Sequence, residues 1–164
     1  MTGPVLVAGI LLVWAGVAKA WRPAGTARAL SAAGLPAPPS LVRALAVAEV
    51  AIGVGAAAAG GAFAVAMACS YGAFAVFVGV ALRRGWSLSS CGCFGEPDAR
   101  PTVTHLLVDV ALAGVSLAGG AEGLRAISSV ARHPAEGAAT ALVAVVTAGL
   151  VVLILSVLPT VTPA

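Results

Sequence analysis

Five runs of apolar residues, each close to the thickness of a bilayer, govern what this 164-residue chain can fold into. They cover about residues 4–20, 41–58, 62–82, 103–118 and 138–158. A helix needs roughly 20 apolar residues to cross the hydrocarbon, and there it satisfies its own backbone hydrogen bonds. Only 9 % of the residues are charged, against about 25 % in a soluble domain. The expected fold is an all-α integral membrane bundle of four to five transmembrane helices, forming a single domain over residues 1–164. The formal net charge of +3 is spread out and aromatic residues are few. A nucleic-acid-binding role therefore has no support.

The connections carry the local signals. Ala18-Lys19-Ala20 has the small-x-small form of a signal-peptidase site, but the positive residues that should precede such a run are missing. The first run is accordingly read as a retained helix. Lys19, Trp21 and Arg22 close it with the basic and aromatic residues of a membrane surface, and Lys19 is expected to snorkel outward. Thr26 to Ala33 reads as a short surface helix stopped by Gly34-Leu35-Pro36, and Ser40 as the cap of the second run. Gly60-Gly61 makes a tight turn into the third, while Pro101 and Thr102 mark the start of the fourth. Residues 119–137 read as a mixed loop, partly helical. The fifth run has no charge, which suits a peripheral, lipid-facing helix. Arg83, Arg84 and Trp86 repeat at the end of the third run the pattern that closes the first, a loose sign of internal duplication.

The reactive part of the chain is Ser90-Cys91-Gly92-Cys93-Phe94-Gly95. Glycine between the two cysteines permits the backbone angles of a small disulfide ring, and a strained disulfide is more oxidising than a structural one. Redox chemistry is the leading reading. The alternatives are two inert thiols or a site for a soft ion such as Cu(I), since two thiolates alone make a poor zinc site. Cys69, within the third run, is expected to be a buried small residue, or else a third thiol in a relay.

Three further residues can carry chemistry. Glu49 and Asp109 are ionisable groups inside apolar runs, where they cost ~2.5 to 3.5 kcal/mol and face the bundle interior. For Glu49 a structural ion pair with Lys19 or Arg43 stands beside a proton-handling role. His105 and Asp109 are four residues apart on one helical face, and His105 lies a short loop from Cys93, placed to accept a thiol proton. His133, beside Pro134, reads as solvated.

Lys19, Arg22, Arg28 and Arg43 flank the first long connection, and Arg83, Arg84 and Arg100 flank the cysteine segment. Arg125 and Arg132 lie at the opposite ends of the runs. The positive-inside rule places the cysteine segment on the cytoplasmic side, whereas disulfides normally persist outside the cytoplasm. The reading keeps both sides open.

Cys91-Gly92-Cys93-Phe94-Gly95 before a late helix, Gly16-Val17-Ala18-Lys19 closing the first, and Leu35-Pro36 followed by Glu49 make the chain resemble the MauE-like members of the DoxX group. The resemblance spans most of the first four runs. It implies a multi-pass helical bundle in the bacterial cytoplasmic membrane that supports disulfide formation in an exported client through a thioredoxin-like protein. MauE proteins are associated with maturation of methylamine dehydrogenase, and by analogy with DoxX relatives the resemblance implies a quinone as electron acceptor.

The function expected is a membrane thiol-disulfide relay. Cys91 and Cys93 act as the exchanging pair, and His105, Asp109, Glu49, Gly92, Phe94 and Gly95 support them. A Cu(I) carrier and a non-catalytic scaffold subunit of a membrane redox complex are the competing readings. No dedicated metal site is expected, the partners are the bilayer and the exported client, and an oligomer is compatible with the sequence.

Overall fold

The computed structural model describes residues 1–85 and 101–161. Seven helices follow one another: α1 (Thr2–Trp21), α2 (Pro23–Ala32), α3 (Pro39–Ala58), α4 (Gly61–Arg83), α5 (Val103–Ala121), α6 (Ala126–Arg132) and α7 (Pro134–Val161). Five of them, α1, α3, α4, α5 and α7, are long and apolar enough to cross a membrane. The expected spans are thus present, each extended by one to four residues at one or both ends.

Local chemistry explains most of the boundaries. Proline at position 39 forbids helical geometry in the residue before it, so Pro38 is extended (ψ 147°) and α3 begins at Pro39. This corrects the expected cap: α3 has no side-chain cap, and Ser40 lies inside its first turn. The pre-set φ of Pro39 supplies the start instead. At α5 the expected start holds, because Thr102 is the N-cap and its side chain accepts from the backbone N–H of His105. Gly60 and Gly61 both take positive φ, 65° and 50°, which only glycine adopts without strain. They fold α4 straight back from α3.

The spans form two antiparallel pairs. In the first, α1 lies on α3 with glycine at the contact. A Cβ on Gly9 would come 3.2 Å from the carbonyl oxygen of Gly53, and one on Gly16 only 2.7 Å from that of Ala46. Small residues at such a crossing let two backbones approach, and in lipid that packing is what drives association. In the second pair, α4 lies on α5, with Gly79 facing Leu106 near one end and Gly120 facing Ala64 near the other. Val5, Ala8 and Leu12 of α1, Ala56 of α3 and Met67 and Tyr71 of α4 form the common core, closed at one end by Ala126 of α6. Tyr71 crosses between the pairs and donates to the carbonyl of Ala8 at 2.6 Å.

The span α7, charged only at Glu136 in its first turn, lies outside this four-helix core, packed mainly on α1 and α6. Leu142, Val143, Val145, Val146, Leu150 and Leu153 stand exposed along it. It is the peripheral helix that its composition suggested.

Candidate functional site

The α1/α3 and α4/α5 pairs have their connections, α2 and residues 86–100, at the same end of the bundle. Cys91, Gly92, Cys93, Phe94 and Gly95 belong to residues 86–100 and lie outside the described residues. The helices on either side of that segment are described.

His105 stands in the first turn of α5, two residues from its start, and is only 3 % exposed. In a helix the Cα–Cβ bond leans towards the N-terminus. His105 therefore leans towards the end of the bundle from which residues 86–100 depart. Its Nδ1 lies 2.8 Å from Thr102 Oγ1. Asp109, the partner expected from spacing, is not the group at Nδ1, because that same lean carries the imidazole away from the residue one turn deeper. Thr102 Oγ1 already accepts from the backbone N–H of His105 at 3.4 Å. Its hydroxyl can give a proton to Nδ1 or take one from it. Nε2 is buried and has no hydrogen-bond partner among the described residues. When Nδ1 carries the ring proton, Nε2 presents a bare lone pair, the form of imidazole that accepts a proton.

Glu49 sits mid-helix in α3, 2 % exposed, and its Oε2 accepts from Lys19 Nζ at 2.7 Å. Its other oxygen, Oε1, is buried without a partner among the described residues. Of the two cations weighed for it, Lys19 is the partner, while Arg43 is exposed. Lys19 does not snorkel outward as expected; it is 2 % exposed. The cause is again the lean of the helical side chain. Lys19 lies at the C-terminal end of α1, so its stem points back into the bundle. Glu49, on the antiparallel α3, points out of the bundle centre to meet it. The ammonium also sits 4.8 Å from the centroid of the Phe74 ring, a cation–π contact. Phe74 in turn meets Tyr71 edge to face, with centroids 6.1 Å apart.

Asp109 is half-buried on α5 and engaged in an interaction of its own. Tyr71 lies within electrostatic reach of both Asp109 and Glu49. The polar groups inside the membrane thus gather on facing sides of the four core helices. Lys19 was expected as one of two candidate partners of Glu49 and is the one found, whereas Tyr71 and Phe74 were not singled out as members of this cluster.

Cys69 is exposed on the outer face of α4, which corrects the expectation that it is buried. Cysteine is nearly as apolar as alanine, so a lipid-facing position demands nothing of it. Among the described residues no three His, Cys, Asp or Glu side chains gather closely enough to hold a metal ion.

These features define a multi-pass helical membrane protein with a lysine–glutamate pair inside its core. The sequence matches the family model described as methylamine utilisation protein MauE over residues 2–122, and the chain belongs to that family. The matched region ends one residue past α5, so α6 and α7 follow it. Neither the curated proteins nor the solved structures contain a match to this chain.

Proposed function

We propose that the protein is a membrane thiol-disulfide relay of the methylamine-utilisation type, in which Cys91 and Cys93 exchange two electrons with an exported client. The observation that carries this reading is Nε2 of His105, buried and without a hydrogen-bond partner among the described residues, in the first turn of the helix that follows the Cys-Gly-Cys segment. A thiolate of the reduced client attacks the Cys91–Cys93 disulfide and forms a mixed disulfide. A second client thiolate then attacks that bond, the client becomes oxidised, and Cys91 and Cys93 are left as thiols. Two protons accompany the two electrons. His105 accepts the proton of one relay thiol when the pair is reoxidised, and a quinone would supply the two-electron oxidation, ending as a quinol with both protons. Lys19 and Glu49 act as supports, because each neutralises the other inside the membrane.

The test is to follow the client's disulfide state in cells carrying Cys91→Ser or Cys93→Ser. Either substitution should leave the client reduced, because neither variant can form the Cys91–Cys93 disulfide that the client thiolate attacks. Full oxidation of the client in both variants would overturn the relay. A stoichiometric soft metal ion in protein purified under reducing conditions would do the same in favour of a carrier.

A further inference from the structure

The end of the bundle opposite the cysteine segment holds two hollows that line up. One is a groove of about 550 Å³ between α1, α5 and α7, lined by apolar side chains such as Pro4, Val7, Leu112, Val115 and Val143. The other is a polar hollow of about 440 Å³ between the end of α5 and α6, bordered by Glu122, Arg125, Ser128, Ser129 and Arg132. On α5 the groove reaches Val115, and Glu122 of the polar hollow lies seven residues further on. On the other wall the groove begins at Ala139, seven residues after Arg132. Along α5 two helical turns, about 10 Å, separate the apolar from the polar part, and on the other wall the break at His133 between α6 and α7 lies between them.

We propose that this pair of hollows seats one anionic glycerophospholipid, with its phosphodiester on Arg125 and Arg132 and an acyl chain in the groove. The charge argues for that occupant. Two arginines against one glutamate leave the polar hollow with a net formal charge of +1, and arginine matches phosphate oxygens in a bidentate manner. Ser128 and Ser129 are hydroxyl groups that can meet a polar headgroup. Ser128 already donates to the Arg125 carbonyl at 3.0 Å, and Arg132 donates to Ser129 Oγ at 3.4 Å. The surroundings argue for the acyl chain, because a groove open to the hydrocarbon is filled by what the hydrocarbon contains. The site lies on α1, α5, α6 and α7, of which the last two follow the region shared with the family. It does not depend on the cysteine chemistry.

The test uses full-length protein in nanodiscs and native mass spectrometry after transfer to detergent. Wild-type protein should retain one phosphatidylglycerol from discs that contain it and none from discs of pure phosphatidylcholine. Arg125→Gln with Arg132→Gln should weaken retention about 30-fold, at the usual strength of two basic residues at a membrane surface. Ala139→Phe, an exposed position on the groove wall, should abolish retention while leaving both arginines in place. Equal retention of phosphatidylcholine, unchanged retention in both variants, or the same thermal stabilisation by inorganic phosphate alone would each overturn the proposal.

Discussion

The α1/α3 and α4/α5 pairs are built alike and treat their polar residues in opposite ways. Each is an antiparallel pair of spans with glycine at its contact, and each carries ionisable groups within the membrane. In α1/α3 the groups are matched, Lys19 to Glu49 at 2.7 Å, and sealed from outside. In α4/α5 the buried imidazole of His105 is held at Nδ1 by a neutral hydroxyl rather than by an opposite charge, and its Nε2 has no hydrogen-bond partner among the described residues. A matched buried pair fixes helices relative to one another, whereas an unmatched buried base retains chemical potential. On the proposed relay, one pair supplies the frame and the other the reactive edge.

The sharpest way to break that comparison is to uncouple the frame. Lys19→Met leaves a buried carboxylate without its cation and should destabilise the protein by about 3 to 5 kcal/mol, read as a large drop in unfolding temperature in detergent. Lys19→Met with Glu49→Leu should recover most of it. If the double variant is no better than the single one, the pair is more than a frame.

Substitution in the reactive edge should show the reverse pattern. His105→Gln should slow client oxidation about 100-fold, the usual contribution of a positioned base, with the unfolding temperature nearly unchanged. Equal losses in rate and stability would place His105 in the frame as well.

Smaller effects test the packing. Gly16→Ala puts a methyl 2.7 Å from the Ala46 carbonyl oxygen and 2.8 Å from Val50 Cγ2, and should destabilise by about 1 to 3 kcal/mol. The same change at Gly114, where a Cβ meets nothing within 4 Å, should not. The smallest effect is expected at the exposed Cys69, where Cys69→Ala should change stability by less than about 0.5 kcal/mol and leave client oxidation intact.

The frame was legible in the sequence as far as hydrophobic length could report it. Span positions follow from composition, and the turns at Gly60-Gly61 and Pro101-Thr102 follow from residues with few other uses. What composition could not report was direction. Whether Lys19 faces water or protein depends on which way its helix runs and on a glutamate in another helix. The exposure of Cys69 depends on the rotation of α4, and α4 is apolar nearly all round, so its pattern marks no inner face. The His105–Asp109 pairing failed at Nδ1 for a related reason: spacing gives neighbours on a face, but the lean of the side chain and a nearby cap decide which neighbour is reached. Cys91 and Cys93 were picked out by type and spacing alone, and they lie outside the described residues.

The inward turn of Lys19 also bears on how the chain is made. While α1 is being threaded into the bilayer, Lys19 is a basic residue at the edge of a span, and it counts among the charges that set orientation. Its partner Glu49 is synthesised 30 residues later, about 2 to 6 s at ordinary rates of translation. During that interval the lysine belongs to the membrane surface. Only when α3 arrives can it withdraw into the protein, so one residue serves first to address the chain and afterwards to lock it.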